Sequence, residues 1–360
     1  MVDADHAATR RVLVTGFCDW AVTDPPSSEW RCFCNPSGRL LIGNEPSAME
    51  STRALAELRN AGMYRGLLCQ HLNKVTSVTD ESGNRVPVVW DYVVAPVVWR
   101  QPLQELEAYD RSQSPFSRVR DLESYHTVVH LGLGSYAPPW PFLLELGALD
   151  GASVSKDARG LYPDGSSECD QHEPIRQTID DGRTFAIKSF RNSDGQLQSQ
   201  ITSRTAVVSP PLNELMPHPD SRVKHKICAI AGASTKSQLP HPVVAALPRV
   251  VSKFICNQAN WHGLTLMNRA FESRSLPERG PAESYFIHIP WGNSPGKAAP
   301  DANRDFSSHI HDDFTDLSVA AADVILNIVD FHGRGFQDQP LSSLDQIVAD
   351  MSNYNLYGGK

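Results

Sequence analysis

The sequence predicts an α/β fold, a single α/β/α sandwich around a central mixed, largely parallel sheet. Two short apolar runs rich in β-branched residues, RVLVTGF at 11–17 and TVVHLGLG at 127–134, are typical of strands that are covered on both faces. The segment LSVAAADVILNIVDF at 317–331 spaces its apolar residues three and four apart, which predicts an amphipathic helix. With 41% hydrophobic residues in 360, the chain can bury a sizeable core.

The first half of the chain begins with the predicted strand 11–17, whose apolar run stops at a glycine. Residues 24–38 contain three prolines and show no period, so we expect irregular structure there. Residues 49–62 have helical spacing and end at a glycine cap, and residues 87–99 are typical of a strand. Together with the strand at 127–134, these elements favour a parallel sheet with flanking helices.

The second half begins with residues 150–205, which are rich in Asp, Gly, Ser and Gln and predict an insertion or irregular hairpin region. Residues 226–233 form a further buried run, residues 242–268 are predicted to be helical with an interruption near Ser252, and residues 285–291 are predicted to be a strand. We therefore expect one domain over residues 1–335 and a C-terminal tail over 336–360.

Composition narrows the partners and the compartment. The formal net charge is −8, and lysine and arginine do not gather in one stripe, so no nucleic-acid partner is expected. No segment approaches the run of about 18 apolar residues that a membrane span needs, and the N-terminus shows no signal-peptide pattern. Seven scattered cysteines do not form a disulfide framework. These features predict a cytoplasmic protein that binds a small or peptidic ligand, and they do not indicate its oligomeric state.

Cys256 is a candidate nucleophile in the stretch KFICNQANWHG, residues 253–263. If a helix begins at Phe254, the thiol lies near the helix N-terminus, where unpaired N–H groups and the macrodipole favour the thiolate. The same N–H groups could hold the oxyanion of an acyl-transfer reaction. Burial in the core is the alternative, because free cysteines are among the most buried residues.

Two further residues could complete a catalytic group. His288 lies in the predicted strand FIHIP just before Pro290, at a strand end where open α/β sheets usually place their chemistry. A neutral imidazole there could accept the thiol proton, although a hydrogen-bonded core histidine is the alternative. Glu145 lies within the apolar stretch WPFLLELGALDG and could orient the histidine, although a surface glutamate is also common.

The order of these motifs resembles the pyroglutamyl peptidase I family. RVLVTGF and then Asn35-Pro36-Ser37 are followed by VVHLGLG, a glutamate about a dozen residues later, KFICN and YFIHIP. The resemblance implies a phosphorylase/hydrolase-like α/β/α sandwich and a cysteine exopeptidase that removes N-terminal pyroglutamate without metal or cofactor. By position, Cys256 matches the nucleophile, His288 the base and Glu145 the acid.

The resemblance also implies a substrate pocket. Phe17 and Phe254 match two aromatic walls of that pocket, and Trp20 stands where the family usually has a second phenylalanine. The chain departs from the family pattern in the segment GSYAPPWPFLL before Glu145, and at Ser252, where the family has a glycine. The chain is also longer than a compact member, mainly in residues 150–205 and in the tail.

Two other functions stay open on the sequence alone. An inactive relative could keep the fold as a binding protein if the departures have dismantled the oxyanion site. A metal-dependent hydrolase could use His309 and His311, with Asp312, in the stretch SSHIHDDF. Cys32 and Cys34 have no spacing partners for a metal or redox site, and His262, six residues after Cys256, would face another side of the helix.

Overall fold

The structure of the chain is a computed structural model. It describes residues 9–18, 35–43, 64–80, 82–95, 97, 125–134, 142–145, 157, 160, 187–191, 197–201, 226, 229–231, 243–246, 254–260, 263, 283–290 and 314–336. These residues form the α/β fold that the sequence predicts, with a mixed, largely parallel sheet at the centre.

A seven-stranded sheet organises the described part of the chain. Its strands are β1 Arg10–Phe17, β2 Ser77–Thr79, β3 Arg85–Ala95, β4 Thr127–Leu133, β5 Phe142–Glu145, β8 Val243–Ala246 and β9 Glu283–Ile289. They lie side by side in the order β2-β3-β1-β4-β9-β5-β8. A separate antiparallel pair consists of β6 Ile187–Arg191 and β7 Leu197–Ile201. In the main sheet, β2 is antiparallel to β3 and β5 is antiparallel to β9, while the other neighbouring strands run parallel.

The central strands β1, β4 and β9 are almost completely buried. Their apolar runs leave no polar face, as expected for parallel strands that are covered on both sides. Because these three strands are parallel, their carboxyl ends lie along one edge of the sheet, and Gly134 N donates to Ile289 O there at 2.8 Å. This edge contains Phe17, at the end of β1, and His288, near the end of β9.

Three helices have complete bounds: α1 Pro36–Ile42, α2 Leu67–Asn73 and α3 Thr315–Val329. Asn35 caps α1 by accepting a hydrogen bond from Ser37 N, and Pro36 occupies the first helical position, where no N–H is needed. α3 buries most of its residues, as its three-and-four spacing predicts. Residues 255–260 are also helical.

The helices cover the two faces of the sheet. On β1, a Cβ at Gly16 would collide with the backbone of Ser37, so this side of the strand faces α1. Arg10, on the same side of β1, donates to the carbonyl of Val329 at the end of α3. The alternate residue Thr15 points to the opposite face, which is covered by the helical segment 255–260. The sheet therefore separates a face packed on α1 and α3 from a face that contains Cys256.

A buried ion pair stabilises the first face. Lys226 Nζ lies 2.7 and 2.8 Å from the two carboxylate oxygens of Glu283 at the start of β9. The same ammonium stands over the rings of Tyr285 and Phe331, 5.9 and 5.7 Å from their centroids. Thr127 donates a longer hydrogen bond of 3.4 Å to the carboxylate. This cluster joins β4 and β9 at the ends opposite to the carboxyl edge.

Several sequence predictions agree with the structure and two are wrong. The strands predicted at 11–17, 87–99, 127–134 and 285–291 and the helix at 317–331 are present with small shifts of their bounds. The helix predicted over 242–268 is wrong at its start, because Val243–Ala246 forms strand β8 beside β5. A short apolar run does not distinguish a buried strand from a helix, and Pro242 and Pro248 isolate this one. Residues 36–38, predicted to be irregular, begin α1.

Other predictions fall partly or wholly outside the described residues. The helix predicted at 49–62 lies outside the described residues. Of the buried run predicted at 226–233, the structure describes residues 226 and 229–231, and these are buried and helical. The antiparallel pair β6 and β7 lies within the region 150–205. Among the helices of the described residues, none is both long and apolar enough to cross a membrane. The tail predicted from residue 336 begins with Phe336, whose ring packs on Phe331 with a centroid distance of 5.4 Å.

Candidate active site

Cys256 lies in the first turn of the helical segment 255–260. The segment starts after Phe254, whose carbonyl accepts from Asn257 N at 2.9 Å and from Gln258 N at 3.3 Å. The described free cysteines are Cys18 and Cys69, which are buried, and Cys256, which is partly exposed. Cys256 therefore combines a helix start with access from outside, which are the two conditions for a reactive thiol.

His288 is the sixth residue of β9 and contacts both other members of the predicted catalytic group. Its Nδ1 lies 3.0 Å from Oε1 of Glu145, and its imidazole also hydrogen-bonds with the side chain of Cys256. The imidazole and the carboxylate are both less than one tenth exposed, so little water competes for their contact. The structure thus brings together Cys256, His288 and Glu145, the three residues that the sequence proposed.

The antiparallel pairing of β5 with β9 places the carboxylate. Leu143 is opposite His288 and Glu145 is opposite Phe286, so Glu145 and His288 are diagonal neighbours on one face of the sheet. A diagonal position is within reach of a glutamate side chain and an imidazole. Glu145 therefore approaches Nδ1 from the neighbouring strand.

The environment of His288 favours its protonated form. Burial is the largest influence and lowers the pKa, but the hydrogen bonds to Cys256 and Glu145 and the negative charge of these groups outweigh it. The net result raises the pKa of His288 from 6.5 to about 10. The raised pKa favours the protonated imidazole at neutral pH.

Gly132 on β4 leaves the space that the sulfur occupies. Gly132 is paired with His288 in the sheet, and a Cβ built on it would lie 3.0 Å from Sγ of Cys256. The same Cβ would be 2.5 Å from Cζ of Phe286, closer than carbon atoms approach in proteins. Only glycine at this position lets the thiol and the ring of Phe286 lie against the strand.

The proposed pocket residues are only partly described. Phe17 is buried at the carboxyl end of β1, two residues after Thr15 and on the same face as the Cys256 helix. Phe254 is partly buried and packs on the core two residues before Cys256. Trp20 lies outside the described residues, so its position beside these two rings stays a prediction.

The metal hydrolase prediction cannot be located in the structure, because His309, His311 and Asp312 lie outside the described residues, as do Cys32, Cys34 and His262. Within the described part of the chain, no group of three His, Cys, Asp or Glu side chains is arranged to hold a metal ion.

Sequence reasoning missed the residues that support the site from below. Gly132 and Phe286 contact Cys256 or His288, and His130 lies beside Phe286 with ring centroids 6.1 Å apart. A signal was present: in HLGL and FIHI, residues two apart share a face of a strand, so His130 and Gly132, and Phe286 and His288, had to point the same way.

The chain is similar in structure to several solved peptidases, with low sequence identities and low TM-scores. The pyrrolidone carboxyl peptidase of Fervidobacterium islandicum AW-1 is 14% identical, with a TM-score of 0.39, and the match covers 91% of this chain and 99% of that one. The pyrrolidone carboxyl peptidase of Thermococcus litoralis is 14% identical, with a TM-score of 0.38, and the match covers 91% of this chain and 96% of that one. Pyroglutamyl peptidase I of Bacillus amyloliquefaciens is 14% identical, with a TM-score of 0.37, and the match covers 88% of this chain and 96% of that one. No protein-family model and no curated protein sequence matches the chain.

Proposed function

We propose that the chain is a cysteine exopeptidase that removes an N-terminal pyroglutamyl residue from peptides. The observation that supports this proposal is the position of His288, which hydrogen-bonds on one side with the carboxylate of Glu145 and on the other with Cys256. A thiol, an imidazole and a carboxylate in this order form the arrangement of nucleophile, base and orienting acid. The sequence motifs around these residues supply the substrate class.

In the first half of the reaction, the Cys256 thiolate attacks the carbonyl carbon of the pyroglutamyl residue. Backbone N–H groups at the start of the helical segment, ahead of Asn257, whose own N–H donates to Phe254 O, stabilise the oxyanion. The imidazolium of His288 gives its proton to the leaving amine, and the C–N bond breaks to leave a thioester on Cys256. The raised pKa of His288 suits this step, because the imidazole carries its proton at neutral pH.

In the second half, water hydrolyses the thioester. Neutral His288 takes a proton from the water, the new C–O bond forms, and the C–S bond breaks to release pyroglutamate and the thiolate. Glu145 stabilises the imidazolium that forms again and holds the ring by its Nδ1. No step requires a metal or a cofactor.

The proposed pocket matches a small neutral lactam. Apolar walls with a few backbone hydrogen bonds suit such a group, and Phe17, Phe254 and Trp20 are the walls we propose. The scattered, odd number of cysteines fits a reducing compartment, so we propose that the enzyme acts in the cytoplasm.

The test is hydrolysis of a pyroglutamyl-linked fluorophore by the purified full chain. We expect Cys256→Ala and Cys256→Ser to abolish fluorophore release, because the members of a triad act as a unit. Cys69→Ala is the matched control, since its buried thiol donates to the carbonyl of Leu41 in another part of the fold. A prolyl-linked fluorophore, which lacks the lactam carbonyl, should not be cleaved. Undiminished turnover by Cys256→Ala, or no turnover by the unaltered chain, would contradict the proposal.

A further inference from the structure

A row of buried side chains crosses three strands beneath the Cys256 helix. Thr15 on β1 is paired with His130 on β4, and Oγ1 of Thr15 lies 2.8 Å from Nδ1 of His130. His130 is paired in turn with Phe286 on β9, and the two rings are stacked. The ring of Phe286 meets the edge of His288 with centroids 5.0 Å apart. The row therefore leads from β1 to the imidazole of the proposed active site.

The far side of His130 faces the residues that follow Cys256. A Cβ built on Gly263 would lie 3.0 Å from Nε2 of His130 and would collide with Oγ of Ser284. Gly263 is also helical and lies seven residues after Cys256, and both residues approach the face of the sheet that contains His130 and Gly132. The sulfur of Cys256 lies over Gly132, and Gly263 lies over His130.

Two contacts thus set how closely the chain from Cys256 to Gly263 approaches the sheet. Gly132 supports the sulfur at one end, and His130 with Ser284 supports the backbone of Gly263 at the other. His130 is buried, and its ring is held from below by Thr15, so it cannot rotate without losing that hydrogen bond.

We propose that His130, held by Thr15, is a positioning residue that fixes the distance between the Cys256 sulfur and His288 by supporting the chain at Gly263. The inference builds on the proposed role of Cys256 as nucleophile, but it concerns the reactivity of the thiol, which can be measured without a substrate. His130 touches no reacting atom in this scheme. It acts through the helical segment above it and through the ring of Phe286 beside it.

The test compares two changes at Thr15. Thr15→Val keeps the shape of the side chain and removes the hydroxyl, whereas Thr15→Ser keeps the hydroxyl. For each purified variant, the rate of Cys256 alkylation by iodoacetamide is followed by peptide mass spectrometry between pH 5 and pH 10. We expect Thr15→Val to lower the rate near neutral pH about tenfold, and Thr15→Ser to retain it, since thiolate formation depends on contact with the imidazole.

The matched control is Thr127→Val, which also removes a buried threonine hydroxyl, on the opposite face of β4, where it donates to Glu283. If Thr15 has a merely structural role, each valine variant can lose stability, but the alkylation profile per folded molecule should be the same in both. Positioning predicts a changed profile for Thr15→Val alone. Equal profiles for Thr15→Val, Thr127→Val and the unaltered chain would overturn the inference.

His130→Asn extends the test to the ring itself. Asparagine can still meet Thr15 but is too short to support Gly263, so we expect kcat for the pyroglutamyl substrate to fall about 100-fold with little change in KM. If the unaltered chain does not hydrolyse that substrate, the function is wrong while the alkylation profiles still decide the inference. If it does hydrolyse the substrate and the Thr15 variants share one profile, the inference fails and the function stands.

Discussion

Nδ1 of His288 lies 3.0 Å from Oε1 of Glu145, although 143 residues separate them in the chain. The contact exists because β5 inserts antiparallel beside β9 and presents its last residue to the face that contains Cys256. Glu145 thus approaches the imidazole from the strand side, and Cys256 approaches it from the helix above. The roles proposed for the three residues differ, and substitutions can separate them.

Replacing the carboxylate should slow the reaction without preventing binding. In Glu145→Gln the neutral amide no longer stabilises the imidazolium, so we expect kcat to fall by at least about 100-fold while KM changes little. Steady-state kinetics with the pyroglutamyl fluorophore measure this. Asp91→Asn is the control, because Asp91 pairs with Arg11 at 3.2 Å elsewhere in the sheet. A full rate in Glu145→Gln would remove Glu145 from the mechanism.

The pH profile should report the raised pKa of His288. A raised pKa means that the imidazolium persists as pH increases and is lost only near pH 10, so kcat/KM should hold through pH 9 and then decline. In Glu145→Gln one of the influences that raise the pKa is missing, and the alkaline limb should move to lower pH. An alkaline limb near pH 6.5 in the unaltered chain would show that His288 titrates as an ordinary histidine.

Gly132→Ala should damage both packing and reactivity. The added methyl would lie 2.5 Å from Cζ of Phe286 and 3.0 Å from the Cys256 sulfur, and relieving such contacts costs about 1 to 3 kcal/mol of unfolding free energy. Urea unfolding and iodoacetamide alkylation measure the two effects. Adding Phe286→Leu should recover part of the stability but not the thiol reactivity. Native stability and reactivity in Gly132→Ala would mean that the sulfur does not rest on β4.

Breaking the buried ion pair should destabilise the fold and spare the chemistry. Lys226→Met leaves the Glu283 carboxylate buried beside a thioether, which costs about 3 to 5 kcal/mol. The double variant Lys226→Met with Glu283→Gln should recover much of that loss, because no charge is then left unpaired. Urea midpoints of the two single variants and the double variant test the coupling. Additive losses would show that the two side chains do not depend on each other.

The cap of α1 should influence the substrate pocket through Phe17. Asn35 Nδ2 donates to Cys18 O at 2.7 Å, while its Oδ1 accepts from Ser37, whose hydroxyl accepts in turn from Phe17 N at 3.0 Å. Asn35→Ala loses both functions, so we expect a loss of about 1 to 2 kcal/mol and a higher KM. Asn35→Asp keeps the acceptor alone, so its stability and its KM should lie between those of the unaltered chain and those of Asn35→Ala. An unchanged KM in a destabilised Asn35→Ala would argue against Phe17 as a pocket wall.

Local sequence patterns predicted the elements whose signals are local. β1, β4 and β9 contain short, largely apolar runs, and α3 repeats its apolar residues at helical spacing. The start of α1 also had a local signal, because asparagine followed by proline is a typical cap and first turn, and reading 24–38 as one irregular stretch overlooked it. β8 had no such signal, since VVAA fits either a strand or a helix.

The order of the motifs indicated which residues to propose for the site, but it did not indicate how their side chains meet. Cys256, His288 and Glu145 could be proposed because each lies in a recognisable stretch, whereas the insertion of β5 between β9 and β8 depends on contacts distant in the chain. His130 and Gly132 looked like ordinary strand residues. Their importance comes from what lies above them, which a strand pattern does not contain.

Alternate side chains of β9 lie on opposite faces of the sheet, so those that stabilise the fold are separated from those beside the thiol. Odd-numbered positions such as Glu283 and Tyr285 join the ionic cluster on one face, and even-numbered positions such as Phe286 and His288 adjoin the thiol on the other. One seven-residue strand can therefore accumulate substitutions that alter the reaction and others that raise the stability of the fold, with little interference between them. A laboratory evolution of this chain could diversify the even positions first and repair the odd ones afterwards.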